Sequence, residues 1–154
     1  MKKVISLLLI AGLLICLGCD SKKTSEETSK NADLKIGNSQ AEKEAVASAK
    51  SWLDLIDLGE YDKSWDEAAE IFQKALPKEQ WVSTVGSVKS NFGKALSREL
   101  MSATYKTTLP GAPDGKYVII QFKTKFEKKE RAVETITPMQ GSDGKWRISG
   151  YYIK

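Results

Sequence analysis

The chain of 154 residues contains no histidine. This absence excludes Ser-His and Cys-His nucleophilic pairs and histidine metal sites, and it removes the side chain most often used for proton transfer near neutral pH. The sequence also lacks a glycine-rich phosphate-binding motif. An enzyme built on this chain would have to work with carboxylates, lysine or tyrosine. We therefore expect a protein that is not an enzyme and that has no cofactor and no metal site.

Cysteine is almost as scarce, since the only two are Cys16 and Cys19. Long apolar runs are also missing. The longest, residues 4–17, has about 14 residues against the roughly 20 needed to cross a bilayer. Two lysines precede this run, and Gly18 and Cys19 follow it. This order is typical of a secretory signal and resembles a lipobox, although Cys16 stands where an aliphatic residue is usual.

The leader therefore predicts a lipoprotein signal peptide over residues 1–18 and lipid attachment at Cys19. An ordinary secretory signal or an uncleaved anchor is the open alternative. Cys19 would be the only cysteine left after cleavage, so the domain would have no disulfide and would depend on a packed core. We expect the protein to be held on a bacterial membrane by its N-terminal lipid, with its domain in the periplasm. Asp20 resembles an inner-membrane retention signal, but the choice between inner and outer membrane stays open.

Residues 19–40 contain the lipidated cysteine and a stretch that is polar, balanced in charge and nearly free of large apolar side chains. Such a stretch buries too little surface to offset its ordering entropy, so we interpret it as a flexible tether. Its root-mean-square length would be about 25 Å. Residues 41–154 then form a single domain.

The formal net charge of +4 is too small for an obligatory nucleic-acid binder, and we expect no nucleic-acid partner. The charge is nevertheless uneven. Residues 41–93 have ten acidic and six basic side chains, whereas residues 94–154 have six acidic and twelve basic ones. Two solvated surfaces of opposite bias would explain this difference. The functional alternative is a basic face turned toward anionic headgroups or an acidic partner.

The first half of the domain has helical periodicity. Ser39 and Glu42 form the pattern of a capping box, and Gly59 is a natural terminator for the helix between them. A second helix is predicted over residues 62–75, because the residue before Pro77 is pushed out of helical geometry. A third ends at Gly93. Its apolar stripe is Trp81, Val85, Val88 and Phe92.

From Lys94 the apolar period changes to two residues, which predicts strands over residues 96–107, 117–126, 131–139 and 145–153. Ser142-Asp143-Gly144 is a hairpin signal before the last strand, on which we expect Trp146, Ile148 and Tyr152 to share the apolar face. The predicted fold class is α+β, with three N-terminal helices packed on one face of a curved four-stranded antiparallel sheet.

The opposite face of that sheet is expected to be wet. Its predicted side chains are basic and aromatic: Lys123, Lys125, Arg147, Tyr117 and Tyr151. Such a surface can stack single-stranded nucleic acid. Lysines whose stems lie along a solvated sheet face explain the same pattern without a ligand.

A candidate pocket is formed by Trp52, Asp57, Tyr61, Trp65 and Trp81. Three tryptophans fall within helical stripes, which is typical of core residues, and carboxylates near a helix end are ordinarily solvated. The functional alternative for the tryptophans is a small-molecule cavity between helices and sheet. The functional alternative for the cluster around Asp57 and Tyr61 is a proton-transfer pair.

Six segments resemble a bacterial family of uncharacterised proteins, the domain of unknown function 4019: WLDLID at 52–57, GEYDKSW at 59–65, KEQW at 78–81, LPGAPDG at 109–115, VETIT at 133–137 and WRISGYY at 146–152. The resemblance extends over residues 49–154. The order of elements is also similar to the nuclear-transport-factor-2-like cone, a cystatin-like arrangement of helices within a curved sheet. Neither resemblance implies an established activity or catalytic residues.

These observations predict a lipid-anchored envelope protein whose domain is a non-enzymatic adaptor or protein-binding module. Its partners would be the membrane, through the lipid, and an envelope protein. The alternative is a binder of a small apolar or amphipathic ligand in a cavity between helices and sheet. An enzyme on a cone-like scaffold is a third reading that rests on analogy alone.

Overall fold

The computed structural model of the protein describes residues 39–154. The signal peptide, Cys19 and nearly all of the tether lie outside the described residues, so those assignments stay predictions. Four helices precede four strands: α1 Gln40–Leu58, α2 Tyr61–Asp66, α3 Glu70–Ala75, α4 Lys78–Phe92, β1 Ala95–Lys106, β2 Tyr117–Phe126, β3 Ala132–Gln140 and β4 Trp146–Ile153. None of the helices in this part of the chain has the length and apolar character that a membrane span requires.

Helix α1 begins and ends as its sequence predicts. The Ser39 hydroxyl accepts from the backbone N–H of Glu42, while the Glu42 carboxylate accepts from the Ser39 backbone N–H at 3.0 Å. The helix ends at Gly59, whose φ of 78° is the left-handed geometry that glycine tolerates best. Its buried face contains Ala45, Ala49 and the residues that form the centre of the core.

The predicted second helix is wrong in one respect, because the chain forms two short helices where one was expected. Helix α2 ends at Asp66 and α3 begins at Glu70. Between them the backbone N–H of Ala69 leaves the helical pattern and donates to the carbonyl of Ile148 at 2.8 Å. The bond gives a hydrogen-bond partner to a carbonyl on the outer edge of strand β4. It interrupts the helical hydrogen bonding, so the domain has four helices instead of three.

The strands form one antiparallel sheet in the order β1-β2-β3-β4. Helix α1 contacts all four strands and α3 contacts β4, so the helices lie on one face of a sheet that is not closed into a barrel. The α+β fold class is therefore confirmed. The core between the layers is contained within the described residues, from Ala45 on α1 to Ile148 on β4. We expect residues 39–154 to fold without the preceding segment.

A β-bulge corrects the predicted face of the last strand. Thr137 pairs with Gly150 but Pro138 pairs with Ile148, so Ser149 is an extra residue on β4. Beyond the bulge Tyr151 points toward the helices, and Tyr152 is 62% exposed instead of joining the apolar face.

Tyr117 also departs from its predicted place on a wet face. Its side chain is buried, and its hydroxyl donates to the Pro113 carbonyl at 2.7 Å. Lys123 and Lys125 are exposed as predicted. The predicted grouping of Tyr117 and Tyr151 with these lysines on one solvated face is therefore wrong.

Candidate functional site

Four charged side chains meet between the helices and the sheet, and we call them the buried charge network: Asp57, Lys89, Arg98 and Glu134. Arg98 lies at its centre, on the helix-facing side of β1. Its Nε donates to Glu134 Oε2 at 2.5 Å and its Nη2 to Glu134 Oε1 at 3.2 Å. The guanidinium also donates to both carboxylate oxygens of Asp57, with Nη2–Oδ1 at 3.0 Å.

Every polar atom of this network has a partner. Glu134 on β3 is completely buried, and its carboxylate accepts additional bonds from the hydroxyls of Thr124 at 2.6 Å and Tyr151 at 2.7 Å. Lys89 on α4 donates to Asp57 Oδ1 at 2.9 Å. Two positive and two negative groups balance, so the network requires no bound ion to neutralise it.

The surroundings of these groups fix their protonation states. Burial alone would raise the pKa of Asp57, but hydrogen bonds from Arg98 and Lys89 outweigh it and hold that pKa below its ordinary value of 3.8. Burial opposes the charge on Arg98, yet the hydrogen bonds that its guanidinium donates to Asp57 and Glu134 raise its pKa above the usual range. Burial, reinforced by the Glu134 charge, raises the pKa of Tyr151. These directions leave Asp57 and Arg98 charged and Tyr151 neutral near pH 7.

Aromatic rings fill the space beside the network. Trp52 packs on Trp81 and on Tyr151, with ring centroids 5.7 and 5.3 Å apart, and Phe72 meets Trp81 edge-on at 5.0 Å. Both indole N–H groups donate to Ser64, Trp52 to its carbonyl at 2.7 Å and Trp81 to its hydroxyl at 2.9 Å. The polar ends of these rings are therefore satisfied within the protein.

Four of the five residues of the predicted pocket pack in one hydrophobic cluster, Trp52 and Trp81 within it and Tyr61 and Trp65 against it, and they leave no open pocket among them. Trp52 and Trp81 are buried against each other, whereas Trp65 is half-buried and donates to the Leu76 carbonyl at 2.7 Å. Asp57 belongs to the charge network, and with Tyr61 it borders a shallow concavity of about 340 Å³ at the surface. None of the main concavities of residues 39–154 is lined by all five residues.

A larger concavity of about 750 Å³, the α3 groove, lies between α3 and the β3–β4 hairpin. Ile71, Met139 and Pro113 supply apolar surface, and the ion pairs Glu70–Lys74 and Asp143–Arg147 lie along its sides. In the described part of the chain, no group of three or more cysteines and carboxylates is placed to hold a metal ion.

The family described as "Protein of unknown function (DUF4019)" matches residues 48–151, which include the whole buried charge network. The chain belongs to the DUF4019 family. A solved structure from Catenulispora acidiphila is similar to this DUF4019 domain with a TM-score of 0.47 and 9% sequence identity, over 73% of this chain and 88% of that one. This degree of likeness decides nothing about the cone resemblance, which stays a prediction. No curated protein matches the chain.

Sequence reasoning identified only one member of the network, Asp57. It missed Lys89, Arg98 and Glu134, and it placed Tyr151 on the opposite face. One signal was available, since Glu134 alternates with the buried Ala132 and Ile136 on β3 and thus occupies an apolar position. Lys89 gives the same signal on α4 of the DUF4019 domain, because the observed stripe is Trp81, Val85 and Lys89, while Val88 is only half-buried.

Proposed function

We propose that this DUF4019 domain is a non-enzymatic protein-binding module held on a bacterial membrane by a lipid at Cys19. The observation that supports it most is the filled interior of the domain. The space between helices and sheet is taken up by packed rings and by charges that neutralise one another. A partner would then have to bind to the outer surface of the domain.

The same observation weighs against the alternative, a small apolar ligand held between helices and sheet. Ligand sites of that kind have volumes of roughly 300 Å³ or more and enclose most of the ligand. Trp52, Trp81 and Tyr151 are in ring contact with one another at the centre of the domain. A ligand there would have to displace one of these rings and break the hydrogen bond that it donates, to Ser64 for either tryptophan or to Glu134 for Tyr151.

The α3 groove is the surface that fits a protein partner best. Protein interfaces combine an apolar centre with a polar rim, and the groove has this arrangement on a small scale. Ile71 and Met139 are half-exposed within it, whereas Glu70, Lys74 and Asp143 at its edges remain solvated. We therefore assign the partner to this groove.

Site-specific crosslinking in cells tests the assignment. A photoreactive amino acid at Ile71 should give one discrete crosslinked species, and the same probe at Glu99, an exposed residue of β1, serves as the matched control. Met139→Asp should abolish the product from Ile71, because a carboxylate in the apolar centre would have to be desolvated. Equal products from both positions, or none from Ile71, would refute the groove as the binding surface.

The anchor is tested separately. Cys19→Ser should move the full-length protein from the membrane fraction to the soluble envelope fraction. Retention of this variant on the membrane would count against lipid attachment.

A further inference from the structure

Two exposed leucines lie at the same end of the domain. In the described residues the large hydrophobic side chains that face solvent are Leu58, Leu96 and Tyr152. Leu58 is the last residue of α1, and its side chain is 73% exposed. Leu96 lies at the start of β1 and is 57% exposed. The ion pair between Asp57 and Arg98 links the chain segments that contain these two leucines.

A β-bulge accounts for the exposure of Leu96. Ala95 pairs with Phe126 and Ser97 pairs with Lys125, so Leu96 is an extra residue without a partner on β2. Bulges commonly re-aim a side chain at the edge of a sheet. Here the bulge leaves a leucine in water on the edge strand β1.

Several cations lie at the same end of the domain as the leucines, and Lys94 and Lys128 border the same concavity as Leu58. The turn between β2 and β3 lies at this end, because Lys94 N–H donates to the Glu127 carboxylate at 2.9 Å and Lys128 N–H donates to the Phe92 carbonyl at 2.9 Å. Residues 123–131 contain five cations and two carboxylates: Lys123, Lys125, Lys128, Lys129 and Arg131, with Glu127 and Glu130. Lys94 adds another positive charge. We call Leu58, Lys94, Leu96 and residues 123–131 the basic end.

The basic end lies far from the start of the domain. Helix α1 has 19 residues and is therefore about 28 Å long. Its first turn borders Lys116 and Gln140, whereas its last residues border Lys94 and Lys128. The tether would thus join the domain at one end, and the cations and leucines are at the other.

We propose that the basic end docks on an anionic lipid surface. The cations of the hairpin contact the headgroups, and Leu58 and Leu96 enter the boundary with the acyl chains. Exposed apolar side chains near a cluster of lysine and arginine are the combination that holds peripheral proteins at anionic bilayers. A bilayer accepts separate side chains one at a time, whereas an acidic protein would need one continuous complementary patch. Leu58 and Leu96 lie on two different elements, α1 and β1, and do not form one continuous patch. This arrangement favours a lipid surface over an acidic protein as the partner.

This inference rests on the proposed lipid anchor, which keeps the domain close to a membrane. About 20 residues separate Cys19 from α1, and a chain of that length can extend over roughly 66 Å. That reach exceeds the length of α1. The domain can therefore turn its far end to the bilayer while Cys19 stays in it, and the anchor raises the local concentration enough for weak docking to matter.

Vesicle sedimentation with residues 39–154 tests the proposal without any contribution from the anchor. We expect the domain to bind phosphatidylcholine vesicles in which about a third of the lipid is phosphatidylglycerol, and to bind pure phosphatidylcholine vesicles poorly. Binding should fall as salt is added. Replacing Lys94, Lys125 and Arg131 together by Gln should lower the partition coefficient on the order of 100-fold, since each cation contributes about fivefold.

The matched control removes three cations from the opposite end: Lys106→Gln, Lys116→Gln and Lys145→Gln. It has the same change in net charge, and its binding should stay much closer to that of the unmodified domain. Leu58→Ser with Leu96→Ser should weaken binding by about tenfold or more, whereas Tyr152→Ser should not. Circular dichroism verifies that each variant is folded.

The proposal is overturned if the unmodified domain does not bind anionic vesicles, in which case the basic end fits an acidic protein instead. It is also overturned if the control triple variant loses as much binding as the test variant, because a general charge effect would then explain the result. Neither outcome bears on lipid attachment, which the Cys19→Ser fractionation measures independently.

Discussion

Removal of Arg98 should be among the most destabilising single substitutions in the domain. In Arg98→Met the apolar stem is roughly preserved but the guanidinium is lost. Glu134 is completely buried, and its remaining partners would be the neutral hydroxyls of Thr124 and Tyr151. Asp57 would keep its ion pair with Lys89 at 2.9 Å and has 30% of its side chain exposed, so the desolvation cost of its charge would be smaller.

The expected decrease in the free energy of unfolding follows from this difference in burial. Breaking a buried ion pair by removing one partner costs about 3–5 kcal/mol, because the remaining charge stays desolvated. For a domain of this size such a loss lowers Tm by about 12–20 °C. Urea unfolding, monitored by the fluorescence of the four tryptophans, measures it directly.

Arg147→Met is the matched control. Arg147 and Asp143 form a bidentate pair with bonds of 2.7 and 3.0 Å, but both side chains are well exposed, and exposed pairs contribute little. We also expect Glu134→Gln to recover about half of the Arg98→Met loss in the double variant, because it removes the unpaired charge. The reasoning is refuted if Arg98→Met costs no more than Arg147→Met.

Two further predictions concern acid stability and a helix end. Asp57 has a pKa below 3.8 in the folded protein, so its contribution to stability is present above that pH and disappears as the pH falls through the lower folded value. Asp57→Asn should therefore be less stable at neutral pH, and urea titrations at successive pH values should show the gap closing in acid; a constant gap would contradict the ion-pair assignment. Gly93→Ala should cost about 2 kcal/mol or more, because φ is 75° and a Cβ would lie 2.9 Å from Glu127 Cβ, which rotation of the glutamate side chain cannot move away, whereas Gly59→Ala has open space and should cost about 1 kcal/mol. Similar Tm values for the two alanine variants would show that the contact with Glu127 relaxes without cost.

The elements of the fold were predictable because their signals are local. The capping box of α1, the glycines that end α1 and α4, and the turn before β4 depend on a few neighbouring residues. The break between α2 and α3 was not predictable in this way. It depends on a hydrogen bond from Ala69 to Ile148, 79 residues further along the chain. Tertiary contacts of this kind override helix propensity.

A bulge caused the errors of placement in β4. A single extra residue in a strand moves every later side chain to the opposite face. Ser149 does this in β4, which is why Tyr151 is in the core and Tyr152 in water. An alternating pattern read without the bulge assigns both tyrosines wrongly.

The charge network could be predicted only in part. Asp57 stood out as a carboxylate at the flank of α1, but its partner Arg98 lies 41 residues away and Glu134 lies 36 residues beyond Arg98. Spacing cannot pair such groups until the strand order is known. Glu134 and Lys89 could have been identified singly, as charges at apolar positions, but without their partners they would have suggested an active site.

The position of the network gives it a structural role that extends to the proposed lipid surface. Asp57 precedes Leu58 at the end of α1, and Arg98 follows the bulge that exposes Leu96. The ion pair between Asp57 and Arg98 therefore joins the end of the helix to the start of the edge strand. Glu134 holds the same guanidinium to the middle of the sheet, and Lys89 connects α4. An apolar contact could join these elements with similar strength, but it would not fix their orientation as closely as paired donors and acceptors do. The buried charges thus position the two leucines at the basic end of the domain.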